Sequence, residues 1–153
     1  MHSGRVVLIL ALLASSACGP HVTRVSAPQG AIDVDAFLAA HPLPDEGGIR
    51  ADQIGRAEGA SYHLVQVLGS ERPHRHLSHD LTVFVLRGRG MLTRGGGATP
   101  LEAGDAAVVP RGEPHWFRSE GAFPAVSLVV FTPPLDAPDA VPYEDVDSPP
   151  AGR

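Results

Sequence analysis

Lysine is absent from this chain, and all 12 basic side chains are arginine. Schiff-base chemistry on a lysine amine is thereby excluded. Cys18 is the only cysteine, so no intrachain disulfide can form, and no thiol nucleophile remains in the chain that follows it. Aromatic residues make up only 5% of the sequence, against 17 glycines and 15 prolines. Because 43% of residues are still hydrophobic, this balance points to short strands joined by tight turns rather than to disorder. Positive charge is also scarce: the formal net charge is −5, which disfavours nucleic acid as a partner. The apolar run at residues 6–13 is too short to span a bilayer. The sequence contains no Ser/His/Asp nucleophile elbow, no phosphate-cradling glycine loop and no cysteine-rich zinc pattern.

The first residues read as a targeting segment. Arg5 supplies a positive start, residues 6–13 an apolar centre, and Ala14, Ser15, Ser16 and Ala17 a small-residue cleavage region directly before Cys18. This is the pattern of a secretory signal peptide over residues 1–17. A cysteine at that point resembles a bacterial lipobox, with Ser15 where leucine is commonest. Lipidation of Cys18 accounts for an odd cysteine in an exported chain. The expectation is an outer-membrane lipoprotein facing the periplasm, held by its lipid anchor; the alternative is a secreted or periplasmic soluble protein.

At this length a single domain is expected. Residues 18–46 read as the lipidated cysteine and a tether, flexible over residues 21–30, with a short helix over residues 33–40 that Pro42 and Pro44 end. From Gly47 onward short β-rich segments recur: 62–68, 74–76, 81–86, 91–94, 106–109, 115–118 and 125–131. Strands at this spacing with Gly/Pro turns predict a barrel or sandwich of about six to eight strands over residues 47–132. Residues 133–153 form a Pro- and Asp-rich tail with little to bury, expected to be extended or disordered.

Two segments carry the chemistry. The first runs from Gly69 to His74 and His76, a His-x-His pair whose side chains share one face of a strand. The second reads G-x5-P-x-G-x2-H, through Gly104, Pro110, Gly112 and His115. A third imidazole arriving from a distant turn gives the minimum for a transition-metal site. Together the segments resemble the two motifs of the cupin superfamily, whose fold is a small antiparallel jelly-roll β-barrel. Three departures stand out. Gly69 lies one residue closer to His74 than the pattern has it. Ser119 replaces the final asparagine. Leu81 occupies the place of the usual glutamate ligand.

The resemblance implies a divalent transition metal held by His74, His76 and His115, with Asp80 or His79 as a fourth ligand if a bulge re-aims either side chain. Iron, manganese, nickel, copper and zinc all accept imidazole. Without the glutamate, the site is less negative and waters fill the open positions. Tyr62, Gln66, Leu81, Val83 and Phe117 are the candidate cavity-lining residues; Tyr62 and Gln66 share one face of their strand and His63 the other. Leu81, Val83 and Val85 make an apolar wall suited to a hydrophobic or aromatic ligand. Arg87 and Arg89 read as solvated turn charges. The expected activity is oxygenase-type, metal-dependent chemistry on a small organic substrate. The alternative is a non-catalytic small-molecule-binding or structural protein. Homodimerisation is implied by the family and by the small core.

Overall fold

The computed structural model describes residues 22–44 and 48–143. The signal segment 1–17 and Cys18 lie outside the described residues. Among the described residues, twelve strands and one helix follow in order: β1 (Arg24–Ala27), β2 (Gly30–Asp33), α1 (Val34–Ala40), β3 (Gly48–Arg56), β4 (Ser61–Leu68), β5 (His74–His76), β6 (Asp80–Arg87), β7 (Arg89–Arg94), β8 (Gly97–Glu102), β9 (Ala106–Val109), β10 (His115–Ser119), β11 (Ala125–Thr132) and β12 (Ala140–Pro142). Two five-stranded antiparallel sheets form, ordered β3-β4-β11-β6-β9 and β12-β5-β10-β7-β8. The expected all-β barrel is present, with more strands than the sequence patterning indicates.

The core lies between the two sheets. Leu81, Val85, Val109, Val129 and Phe131 from the first sheet meet Leu92 and Leu101 from the second. Each such side chain removed from water contributes about 1.5–3 kcal/mol. Gly90 on β7 lies against β10, where a Cβ would collide with the Phe117 ring and the Arg118 carbonyl. A glycine there makes room for the Phe117 ring.

The N-terminal region is more ordered than a tether. β1 and β2 form a hairpin with Val25 opposite Ile32. Both pack, with Phe37 and Leu38 of α1, on a second cluster on the outer face of the first sheet, built on Ile54, Leu64, Leu86 and Val126. Alternating apolar residues give these strands something to bury, which overrides their small, turn-forming composition. Asp33 caps α1 by accepting from the Ala36 N–H at 2.9 Å. Arg87 is not a solvated charge: it donates to Asp35 at 2.6 Å and to the Val22 carbonyl at 3.2 Å, tying this region to the barrel. The Gln29 side chain clasps Arg56 at the end of β3, accepting from its N–H at 2.8 Å and donating to its carbonyl at 2.7 Å.

The segment after Thr132 is also structured as far as residue 143. Leu135 packs on the inner core and donates its N–H to Ser61 Oγ at 3.0 Å. Asp136 pairs with Arg56 at 2.6 Å. β12 then adds to the edge of the second sheet beside β5.

Candidate metal centre

β5 and β10 bring the two motifs together. His115 is directly opposite His74 in their ladder. The turn before β10 is held to β5 by the Gly112 N–H, which donates to the His76 carbonyl at 2.7 Å. Gly112 has φ +79°, a left-handed conformation that favours glycine. The motif's glycine therefore serves the backbone bend that delivers His115 to the other two histidines.

One ring nitrogen from each of His74, His76 and His115 lies within 4.8 Å of the others. Every Nδ1 is already committed. His74 Nδ1 donates to the Arg72 carbonyl at 2.8 Å and His115 Nδ1 to the Glu113 carbonyl at 3.0 Å. His76 Nδ1 donates to Asp139 Oδ1 at 2.7 Å. These partners only accept, so each Nδ1 carries hydrogen, and in the neutral ring the free lone pair lies on Nε2. That is the tautomer a metal ligand requires. Burial pushes His115 down to about 4, opposed by the Glu113 carbonyl and reinforced by the neighbouring His74 and His76. Burial also lowers His76, against the pull of Asp139. Both rings are therefore neutral at pH 7 and fit a divalent ion as nitrogen donors.

The remaining candidates fall elsewhere. Asp80 is not a fourth ligand. Leu81 takes the inward position on β6, so Asp80 points outward, where both its oxygens are bound by Arg111, at 2.8 Å from N–H and 2.7 Å from Nη2. The Arg111 bonds hold its carboxyl down to about 2. His79 is buried, but its Nδ1 bonds Asp139 Oδ2 at 2.6 Å and its Nε2 faces the Pro134 carbonyl at 3.3 Å. Neither ring nitrogen is turned to the cluster.

The three histidines open onto a cavity of about 220 Å³ between the sheets. Leu81, Val83 and Phe117 line it, together with Val65, Val85 and Val129. Tyr62 and Gln66 do not. Their face of β4 is the outer one: Tyr62 packs on the outer cluster, and Gln66 donates to the His41 carbonyl at 2.7 Å. On the inner face, His63 bonds Ser61 Oγ at 3.0 Å and meets the Phe131 ring edge-on.

Two carboxylates escape sequence reasoning. Glu71 lines the cavity and accepts from the Phe117 N–H at 2.9 Å. Burial raises its carboxyl, against the Phe117 bond and the charge of His74. Its position three residues before the His-x-His pair is the only signal in the sequence. Asp139 accepts from His76, His79 and the Ser78 N–H. Burial works to raise it, but these bonds prevail and hold it down to about 2. Nothing in the local pattern of the tail marks it.

The comparisons agree with this architecture. The family described as cupin domain matches residues 62–131. An uncharacterised protein of Aquifex aeolicus is 36% identical over 96 residues, covering 63% of this chain and 78% of its own. The crystal structure of TT1209 from Thermus thermophilus superposes with a TM-score of 0.58 at 30% identity, over 67% of this chain and 97% of that one. A Klebsiella pneumoniae protein with a double-stranded beta-helix domain shares the fold with a TM-score of 0.59 at 20% identity, over 71% and 95% of the two chains. Residues 62–131 thus match the cupin domain, and the fold around them is of the double-stranded β-helix type.

Proposed function

We propose that this protein binds a divalent transition metal through His74, His76 and His115 and acts on a small, largely apolar organic molecule held in the adjoining cavity. The observation that carries this reading is that one nitrogen from each of the three rings lies within 4.8 Å of the others while all three Nδ1 atoms are engaged elsewhere, which leaves Nε2 as the donor of each ring. Three protein ligands leave open positions on the ion for a substrate group or water. A bound ion would supply Lewis acidity there, and a redox metal one-electron chemistry of the oxygenase type. The wall formed by Val65, Leu81, Val83 and Phe117 excludes water and favours an apolar body on the substrate. Glu71 supplies the carboxylate on that wall, suited to hold a hydroxyl or amine donor. The proposed site of action is the cell envelope, with the domain tethered by a lipid on Cys18.

A second reading, a non-catalytic binder, is favoured by one feature: Leu81 removes the carboxylate that would complete a four-ligand site. Elemental analysis of the protein, purified without a histidine tag, tests the metal. Near-stoichiometric metal in the wild type, lost in the His74→Ala/His115→Ala double variant, is the expected result. A folded wild type that takes up no metal after reconstitution would overturn the proposal. Turnover against apolar candidate substrates then separates enzyme from binder.

A further inference from the structure

We propose that the C-terminal segment 133–143 is a working part of the metal centre, with Asp139 as the positioning residue that sets His76 for coordination. This rests on the three-histidine reading above. His74 and His115 are each oriented by a carbonyl two residues upstream, so their settings are local to the motifs. His76 is oriented differently. Its partner is a carboxylate 63 residues away, beyond the stretch that matches the cupin domain family.

Both oxygens of Asp139 are used. Oδ1 takes the His76 Nδ1–H at 2.7 Å, while Oδ2 takes His79 Nδ1 at 2.6 Å and the Ser78 N–H at 3.0 Å. His79 and Ser78 therefore act as a brace that turns the carboxylate toward His76. The backbone fixes the same arrangement. β12 pairs with β5 along its whole length, placing Ala140 opposite His76 and Pro142 opposite His74. The Tyr143 N–H closes the pairing on the Pro73 carbonyl at 3.0 Å. The strand that carries two ligands is thus held on one side by the strand carrying the third, and on the other by this strap.

A carboxylate on the distal nitrogen of a metal-binding imidazole fixes the ring, selects the tautomer and strengthens the donor. Removing such a partner weakens metal binding by about 10–100-fold. Coupling of this kind is reciprocal: if a docked strap strengthens metal binding, bound metal tightens the strap by the same factor. Metal loading and closure of residues 133–143 are one linked equilibrium.

The test uses the full chain with Zn²⁺ or Ni²⁺ alone as the probe. Affinity is measured by competition with a chromophoric chelator for the wild type, Asp139→Asn and His79→Gln. The expected result is a loss of about 10–100-fold in Asp139→Asn and a smaller loss in His79→Gln, with the barrel retained by circular dichroism. In the wild type, hydrogen exchange at the Ser78 and Tyr143 amides should slow when the ion binds. This second measurement decides the matter even if Asp139→Asn fails to fold. A merely structural strap would lower the unfolding temperature of the metal-free variant and leave metal affinity unchanged. Unchanged affinity in Asp139→Asn, or unchanged exchange on metal binding, overturns the proposal alone. A wild type that binds neither ion overturns the three-histidine reading and this proposal with it.

Discussion

His74 and His115 face each other across the β5–β10 ladder with ring centroids 4.4 Å apart. Rings this close, with His115 buried, cannot readily carry two positive charges. His115 is held at about 4 against an ordinary 6.5, so the unfolded chain takes up this proton at higher pH than the folded one. Its contribution to stability is complete above about 6.5 and is lost as pH falls toward 4. The size is about 3 kcal/mol. His76 shifts in the same direction, and Asp139 extends the loss downward from 3.8 to about 2. Glu71, with its carboxyl raised, runs the other way and gains stability as pH falls. Denaturant unfolding of chelator-treated protein should show a net decline between pH 6.5 and 4, and His115→Asn should flatten it. A wild-type profile that is level across this window would contradict the geometry.

Leu81→Glu restores a carboxylate at the inward position of β6, in the cavity the imidazoles face. Divalent affinity should rise by about tenfold or more, since an anion joins three neutral donors. The metal-free variant should be less stable by about 1–3 kcal/mol, the cost of burying a polar group without a partner. Chelator competition and metal-free unfolding measure the two effects separately. Unchanged affinity would mean that residue 81 does not reach the ion.

Glu71 separates a charge effect from a hydrogen-bond effect. Glu71→Gln keeps an acceptor for the Phe117 N–H and removes the buried charge, so stability at pH 8 should hold or increase. Glu71→Ala leaves that N–H unpaired and should cost about 1–3 kcal/mol. If both variants lose the same amount, the bond to Phe117 contributes nothing.

Asp80→Asn checks which acidic residue serves the site. Its oxygens are engaged by Arg111 on the surface. Metal affinity should change by less than about twofold, as an exposed pair loses little across solvent. A tenfold loss would restore Asp80 as a ligand.

Much of the barrel is legible in the sequence because its strands carry the period of a half-buried sheet. Residues 81–86 and 125–131 announce β6 and β11 by β-branched content alone. β3 carries no such signal. Its inward residues are Ile49 and Ala51 with polar Arg50 and Asp52 on the other face, and a register shift between Gln53 and Gly55 breaks the alternation around Ile54, which packs on the outer cluster. The metal-facing histidines are readable because both motifs state their own spacing. What lies beyond reach is whatever depends on tertiary closure. The face of β4 that lines the cavity cannot be chosen between Tyr62 and His63 without knowing that a hairpin covers the other side. The terminal strap is equally hidden, because Asp139 matters only through a contact 63 residues away.

Gln29 offers Arg56 one acceptor and one donor on a single planar amide. A primary amide of this shape does what a peptide unit of a further strand would do. β3 is an outer strand of its sheet, and the open groups of such a strand invite pairing with any extended chain nearby. At residue 56 the invitation is already answered from within the molecule. Growth of the sheet past that point would first have to displace a side chain held from both ends, so one glutamine acts as a stop against edge-to-edge association.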